Sequence, residues 1–148
     1  MTQLLISSLK LNLFRRIRNE YNKTPNESKI VINENPSLLN ILVIDCGIKN
    51  SQIRGLLKYN VQLTVVSPNF NFFDGETLIK YHGIFLSNGP GDPTVSTEVV
   101  KRLKNIFKMD IHIPIFGICY GHQLMGLASG NSIGKMKDGN RGHNIPCN

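Results

Sequence analysis

A cysteine between two glycines is the residue of this chain best suited to covalent chemistry. Residues 117–121, GICYG, have the spacing G-x-C-x-G, the cysteine counterpart of the G-x-S-x-G nucleophile elbow. A nucleophile on such a sharp turn has a strained backbone, and side chains two residues to either side would collide with their neighbours. Gly117 and Gly121 remove those side chains. The motif therefore favours a nucleophilic Cys119 over a small structural residue that ends a strand.

Backbone amides around this cysteine would support a nucleophilic role. The helix predicted just after the motif directs its first N–H groups toward the sulfur, and these donors favour thiolate over thiol. The N–H of Tyr120 would point toward a developing oxyanion, as the residue after the nucleophile does in related elbows.

A second unusual loop, SNGPGDP, covers residues 87–93. Gly89 and Gly91 flank Pro90, so the loop is stiff and its backbone N–H groups have little side-chain cover. Such a loop can hold an anionic or carbonyl oxygen. A plain turn is the alternative, because Pro-Gly and Gly-Asp-Pro are common turn sequences.

A zinc site is the competing interpretation of the cysteine. Cys119-x-x-His122, followed by His143-x-x-x-Cys147, resembles the paired spacing of zinc ligands. However, Cys119 ends a buried strand rather than lying on a turn that presents ligands. We therefore expect no metal and no cofactor.

Short apolar runs alternate with amphipathic stretches from residue 40 onward. This alternation predicts a parallel sheet covered by helices, with the loops that carry Cys119 and Gly89 at the carboxyl ends of strands, where such sheets bind ligands. The predicted strands are 40–47, 61–68, 84–86 and 113–119, and the predicted helices are 50–59, 96–108 and 122–129. In helix 96–108, Val99, Val100, Leu103, Ile106 and Phe107 are predicted to form the apolar face.

The amino-terminal residues differ in composition from the rest. Residues 1–29 carry six Lys or Arg and two acidic residues, so they hold more than half of the net charge of +7. This composition suits either a mitochondrial presequence or a solvated leader. Residues 22–37 are rich in Asn, Pro and Ser and are predicted to be a linker. We predict a leader and linker over 1–39 and a folded domain over 40–148.

Composition also excludes several classes of function. No nucleic-acid-binding motif accompanies the basic residues, and no apolar run approaches the ~20 residues that span a bilayer. Three scattered cysteines do not form a disulfide framework, which indicates a reducing compartment. We expect no nucleic acid and no membrane as partners, and a cytoplasmic location, or the mitochondrial matrix if the leader is a presequence.

Four motifs together resemble the class I glutamine amidotransferase domain of carbamoyl-phosphate synthetase. They are VIDCGIKNSQIRGLL, GIFLSNGPGDP, PIFGICYGHQLMGLASG and GNRGHNIPC, and the resemblance extends over about residues 41–147. The resemblance implies a flavodoxin-like α/β fold, a parallel sheet with helices on both faces, that is incomplete at its C-terminus. It also implies L-glutamine as substrate and the large synthetase chain, which uses ammonia and ATP, as partner.

The same resemblance implies roles for individual residues. Cys119 corresponds to the nucleophile that forms a thioester with glutamine and releases ammonia. Gly89 and Tyr120 correspond to backbone oxyanion donors, and Gly91 and Gln123 to substrate contacts. Tyr120 departs from the family, which usually has leucine there; a backbone donor tolerates that change, but the bulkier ring could crowd the glutamine.

Two further differences from the family bear on activity. Asp138 precedes GNRGHN where the family has an uncharged residue, and no histidine here stands in the His-Pro-Glu motif that supplies the family's general base. General-base assistance is worth ~10²–10⁴-fold. The resemblance therefore implies glutamine hydrolysis for carbamoyl phosphate synthesis, serving pyrimidines or arginine, with negligible turnover by the isolated chain. The alternatives are a non-catalytic module that binds glutamine or a synthetase chain, and a remnant without function.

Overall fold

The computed structural model describes residues 29–71 and 75–136. Its five strands are β1 (Lys29–Ile32), β2 (Asn40–Ile44), β3 (Gln62–Val66), β4 (Gly83–Leu86) and β5 (Ile115–Gly117). Its helices are α1 (Asn50–Leu57), α2 (Gly75–Leu78), α3 (Thr97–Lys108) and α4 (Tyr120–Ala128), with one turn of 3₁₀ helix at Pro93–Val95. The residues before 29 and the motif GNRGHN lie outside the described residues.

The strands form one sheet in the order β1-β3-β2-β4-β5, in which β2 to β5 are parallel and β1 is antiparallel to β3. The chain moves outward from β2 to β3, returns past β2 to β4, and continues to β5. This is the doubly wound order, whose switch point lies between β2 and β4. The predicted α/β class with a parallel sheet is confirmed.

Alternate residues of the central strands pack on opposite faces of the sheet, as the period of two requires. One cluster joins Leu42 and Ile44 to buried residues of α3 and α4. The other joins Val43 and Phe85 to Ile53 of α1. Helices therefore cover both faces, and the near-continuous apolar character of β2 and β4 follows from burial on both sides.

Strand register places the functional loops at one level. Gly117 pairs with Leu86, Leu86 pairs with Ile44, and Ile44 pairs with Val66. The loops after β2, β4 and β5 consequently begin at the carboxyl ends of three adjacent parallel strands, at nearly the same position along the strand direction.

The predicted linker contains a strand. Residues 22–37 were expected to connect the leader to a domain that starts at residue 40, but Lys29–Ile32 pairs with β3 along its whole length. The strand is four residues long and stands between Asn- and Pro-rich sequences, so its local pattern is too short to predict a strand. The sheet therefore extends ahead of residue 40.

Two helices differ in detail from their predictions. In α3, Val99, Leu103 and Ile106 are buried, whereas Phe107 is 42% exposed because it lies at the margin of the apolar stripe. Helix α4 begins at Tyr120, two residues earlier than predicted, so Cys119 is its N-cap residue. None of the helices in the described part of the chain has the length and apolar character of a membrane span.

Candidate active site

Cys119 lies on a strained turn between β5 and α4. Its φ and ψ are 51° and −107°, and its side chain is exposed. Residues other than glycine rarely have a positive φ, and where they do the surroundings must hold the backbone in place. The strained turn predicted from G-x-C-x-G is therefore present at the cysteine.

Close backbone packing explains both glycines of the motif. A Cβ on Gly117 would lie 2.6 Å from the carbonyl carbon of Gly121 and 2.7 Å from the amide nitrogen of His122. A Cβ on Gly121 would lie 2.6 Å from Cβ of Leu86 and would also collide with the Leu86 carbonyl oxygen. The elbow can therefore close tightly only if position 117 lacks a side chain, and the start of α4 can approach β4 only if position 121 lacks one.

Hydrogen bonds join the elbow to the end of β4. The Ile118 N–H donates to the Leu86 carbonyl at 3.0 Å, and the Gly121 N–H donates to the Ser87 carbonyl at 3.2 Å. The start of α4 is thus attached to the strand that leads into the glycine-rich loop, which brings the two loops singled out in the sequence side by side.

The glycine-rich loop in turn packs against the end of β2. A Cβ on Gly89 would collide with the Cys46 carbonyl oxygen and lie 3.0 Å from the Cys46 Cβ. The position therefore requires glycine because another backbone lies against it, without any need for a positive φ. Gly91, with φ 94°, has open space around it and requires glycine for its conformation.

Ser87 organises this junction, and sequence analysis did not single it out. Its fully buried hydroxyl accepts from the Cys46 N–H at 2.9 Å and donates to the Asn88 carbonyl at 2.8 Å. The Asn88 side chain donates to the Gly47 carbonyl at 3.2 Å. The bonds to Cys46 and Gly47 span 41 residues of sequence and depend on the register of β2 and β4, so no local pattern could have revealed them.

Asp45 fixes the loop after β2. One of its carboxylate oxygens accepts from the N–H of Gly47 at 2.9 Å and from the N–H of Ile48 at 2.7 Å. An aspartate that binds the N–H groups two and three residues ahead is a common signal of a turn. That signal was present in the sequence between β2 and α1.

An open cavity of about 530 Å³ lies against the first turn of α4, at Gln123, and Cys119 is not one of the residues that line it. Gly91 and Gln123, the two predicted substrate contacts, both line it, together with Asp92–Thr94 and Ile133–Met136. This volume is in the range of small-molecule sites. Gly89 and Tyr120 are not among the lining residues. Gly89 lies in the loop that leads to Gly91, and Tyr120 begins the helix that carries Gln123.

The Tyr120 ring is turned into the core. It is only 7% exposed, belongs to the cluster with Val99 and Leu124, and its hydroxyl lies 2.7 Å from the Ser96 hydroxyl. The ring is buried in the apolar cluster and does not line the cavity, so the structure shows no crowding of the cavity by this side chain. The backbone at this position begins α4, where the expected oxyanion donor should be.

The described histidines lie at both ends of the parallel strands. His82 and His112 precede β4 and β5, and His82 accepts from the Asn40 N–H at 3.0 Å, at the amino end of β2. His82 and His112 therefore lie at the amino ends of the strands, whereas Cys119 lies at the carboxyl ends. His122 is exposed in the first turn of α4, and His143 lies outside the described residues.

The zinc spacing brings no ligand set together within residues 29–71 and 75–136. No three His, Cys, Asp or Glu side chains in these ranges are grouped so that they could hold a metal ion. His143 and Cys147, which would complete the Cys-x-x-His pair, are not among the described residues.

The two cysteines of the described site differ in environment, and this predicts a difference in reactivity. Burial, with a smaller contribution from Asp45, raises the pKa of the Cys46 thiol to about 12. At about pH 8 only ~1 in 10⁴ of such thiols is ionised, and the thiolate is the reactive form. We expect iodoacetamide to modify Cys119 in the native protein and to spare Cys46 until the chain is unfolded in urea. Peptide mass mapping checks this, and equal native rates would contradict it.

A doubly wound sheet with an exposed cysteine on a strained elbow, packed against a glycine-rich loop, defines a class of α/β domain. Within this class the family is shown by similarity. The chain belongs to the class I glutamine amidotransferase family, whose family model, "Glutamine amidotransferase class-I", matches residues 42–148.

The similar curated proteins are long. "Multifunctional protein ura1" of Schizosaccharomyces pombe is 46% identical over 123 residues, which cover 83% of this chain and 5% of that protein. "Multifunctional protein URA2" of Saccharomyces cerevisiae is 50% identical over 110 residues, 74% of this chain and 5% of that protein. "Carbamoyl phosphate synthase arginine-specific small chain" of S. cerevisiae is 44% identical over 73% of this chain and 26% of that protein.

A solved structure shows the same architecture. A Thermoplasma acidophilum protein described as part of a GMP synthase has a TM-score of 0.53 and 28% sequence identity to this chain. The similarity covers 68% of this chain and 49% of that one. The chain therefore spans about half of this structural relative and about a quarter or less of these curated relatives.

Proposed function

We propose that this chain is the glutaminase part of a carbamoyl-phosphate synthetase, and that Cys119 attacks the side-chain amide of glutamine. One observation carries the proposal: an exposed cysteine with φ 51° stands on an elbow that hydrogen bonds to the end of β4, one helical turn before Gln123, which lines a cavity together with Gly91. Similarity to carbamoyl phosphate synthase small chains supports the same reaction.

The proposed chemistry proceeds in two steps. The Cys119 sulfur forms a bond to the amide carbon of glutamine, and the C–N bond breaks as the nitrogen takes up a proton and leaves as ammonia. Water then cleaves the thioester, which gives glutamate and restores the thiol. In the first step the oxygen gains negative charge, and the backbone N–H groups of Gly89 and Tyr120 are the proposed donors to it.

The fold accounts for several requirements of this reaction. The elbow exposes the sulfur at the carboxyl edge of the sheet, and the Ser87 hydroxyl holds the loop that carries Gly89 against β2. A base must accept the thiol proton. His82 and His112 lie at the other edge of the sheet, so neither of them fills this role.

Partner and location follow as parts of the same proposal. The ammonia would be passed to a large synthetase chain, since relatives of this chain carry the description of small chain. Names of similar proteins include arginine-specific chains and multifunctional proteins, so service to either arginine or pyrimidine synthesis stays open. We propose a cytoplasmic location, with the mitochondrial matrix as the alternative if residues 1–29 act as a presequence.

A glutamine analogue whose side-chain NH₂ is replaced by a chloromethyl group tests the proposal without requiring turnover. A sulfur positioned at the bound carbonyl displaces chloride and forms a thioether. We expect the full chain to be alkylated at Cys119, with glutamine slowing the reaction and asparagine, one methylene shorter, slowing it much less. Intact mass and peptide mapping provide the measurement.

Matched variants separate this outcome from general thiol reactivity. Cys119→Ser should abolish the thioether, whereas Cys46→Ser should leave its rate unchanged because that buried thiol takes no part. Labelling that glutamine does not slow would contradict the proposal. Protection of Cys119 from iodoacetamide by glutamine, without reaction with the chloroketone, would instead favour the non-catalytic glutamine-binding module.

A further inference from the structure

The side chain of Tyr120 joins two parts of the site that sequence separates. Its hydroxyl lies 2.7 Å from the Ser96 hydroxyl, and it donates to the Asp92 carbonyl at 3.4 Å. Ser96 and Asp92 flank the 3₁₀ turn Pro93–Val95, whereas Tyr120 begins α4 immediately after Cys119. One side chain therefore attaches the turn after the glycine-rich loop to the nucleophile elbow.

The position of Ser96 shows that this contact replaces another one. Ser96 is the N-cap residue of α3, where a serine side chain ordinarily accepts a hydrogen bond from an N–H in the first helical turn. Here its side chain makes no such capping bond. The hydroxyl is directed to Tyr120 instead, so the helix forgoes a favourable cap while the link to α4 is made.

The turn itself is held as a unit. One Asp92 carboxylate oxygen accepts from the Thr94 N–H at 2.9 Å and from the Thr94 hydroxyl at 2.7 Å. These bonds, the one from the Thr94 hydroxyl most, lower the pKa of the Asp92 carboxyl because they stabilise its ionised form. Because these internal bonds hold the turn together, it would move as a unit relative to α4. The Tyr120 hydroxyl is one of the contacts that oppose this movement.

The turn also forms part of the cavity wall. Asp92, Pro93 and Thr94 line the cavity on one side together with Gly91, and Gln123 of α4 lines it as well. The distance between the turn and Gln123 therefore affects the width of the cavity, whose other lining residues are Ile133–Met136. The Tyr120 hydroxyl contacts the turn at Asp92 and Ser96, and Tyr120 belongs to the same helix as Gln123.

We infer that Tyr120 is a positioning residue, whose hydroxyl holds the Asp92–Ser96 turn at the distance from α4 that a bound ligand requires. This rests on the proposed function for the identity of the ligand as glutamine. A leucine at this position would fill the apolar cluster equally well, but it would leave both the Ser96 hydroxyl and the turn without this support.

A double-mutant cycle tests this inference. Tyr120→Phe and Ser96→Ala each remove one side of the contact, and Tyr59→Phe makes the same chemical change at an 80% exposed tyrosine as the control. The first readout is the glutamine concentration that half-protects Cys119 from the chloroketone. We expect Tyr120→Phe to raise this concentration about fivefold and Ser96→Ala to raise it less, because the bond to the Asp92 carbonyl remains. The double variant should match Tyr120→Phe, and the control should leave the concentration unchanged.

Two readouts distinguish positioning from a general loss of stability. The rate of Cys119 alkylation by iodoacetamide without glutamine should stay within about twofold, because close glycine packing and not Tyr120 fixes the elbow backbone. Hydrogen exchange at the Val95 and Ser96 amides, which bond to Asp92 and Pro93 carbonyls, should accelerate in Tyr120→Phe. If glutamine protects the wild type, the inference is overturned by any of three results. These are unchanged hydrogen exchange in Tyr120→Phe, unchanged protection by glutamine in Tyr120→Phe, and additive effects of the two substitutions. If glutamine fails to protect the wild type, the proposed function fails, and faster exchange still supports the attachment of the turn.

Discussion

Replacing Gly121 with alanine is expected to lower the free energy of unfolding by about 3 kcal/mol or more, the upper range for forcing extra atoms into a packed site. The added Cβ would lie 2.6 Å from the Leu86 Cβ, and the carbonyl of the same leucine lies closer still. Because the obstacle includes strand backbone, no change of rotamer can relieve it. The start of α4 must move away from β4, and its hydrogen bond to the Ser87 carbonyl is lost.

Gly126→Ala is the matched control, since it makes the same change in the same helix. Nothing lies within 4 Å of a Cβ at that position. We expect it to raise stability by about 0.5–1 kcal/mol, because alanine loses less conformational entropy than glycine on forming a helix. Urea unfolding of both variants provides the measurement. Equal stabilities would show that the elbow does not pack against β4 as described.

Replacing Gly89 with alanine is expected to cost about 2–3 kcal/mol of stability and to abolish the protection of Cys119 by glutamine. Its Cβ would collide with the Cys46 carbonyl, at the switch point of the sheet. The glycine-rich loop would then shift away from β2, the bonds made by the Ser87 hydroxyl would stretch, and the N–H of residue 89 would leave its proposed place as an oxyanion donor.

Gly55→Ala provides the comparison for this second variant. It lies in α1, has no neighbour within 4 Å of a Cβ, and should be neutral or slightly stabilising. Unfolding curves and half-protection by glutamine are measured together on both proteins. A Gly89→Ala protein that is as stable and as well protected as the wild type would show that the loop does not need its close approach to Cys46.

The elbow was predictable because its requirements are local. The steric requirements of the turn are all contained in the five residues G-x-C-x-G, which follow an apolar run and precede an amphipathic stretch. The structure shows the strained cysteine and the two closely packed glycines that these requirements predict. The parallel sheet was predictable for a similar reason, since the alternation of apolar runs and helices leaves few other topologies.

The features that escaped prediction depend on contacts distant in sequence. Ser87 is one serine among several until the register of β2 and β4 places its hydroxyl beneath Cys46. The Tyr120 ring, bulkier than the family's leucine, raised the question of crowding the glutamine, yet the ring packs in the apolar cluster of α3 and α4. Strand β1 has too few residues to display a period and is defined by its partner β3.

Strand β1 protects the outer edge of β3 from pairing with a strand of another molecule. Without β1, the outer side of β3 would offer a run of unpaired N–H and C=O groups, flanked by the buried side chains of Leu63 and Val65, as a template for intermolecular pairing. With β1 in place, the exposed margin is a four-residue strand that begins with an exposed lysine, and both features disfavour further strand addition. Expression of this domain, or of the matching part of a relative, should therefore include Lys29–Ile32, since a fragment cut at residue 40 would keep every site residue and gain a surface prone to aggregation.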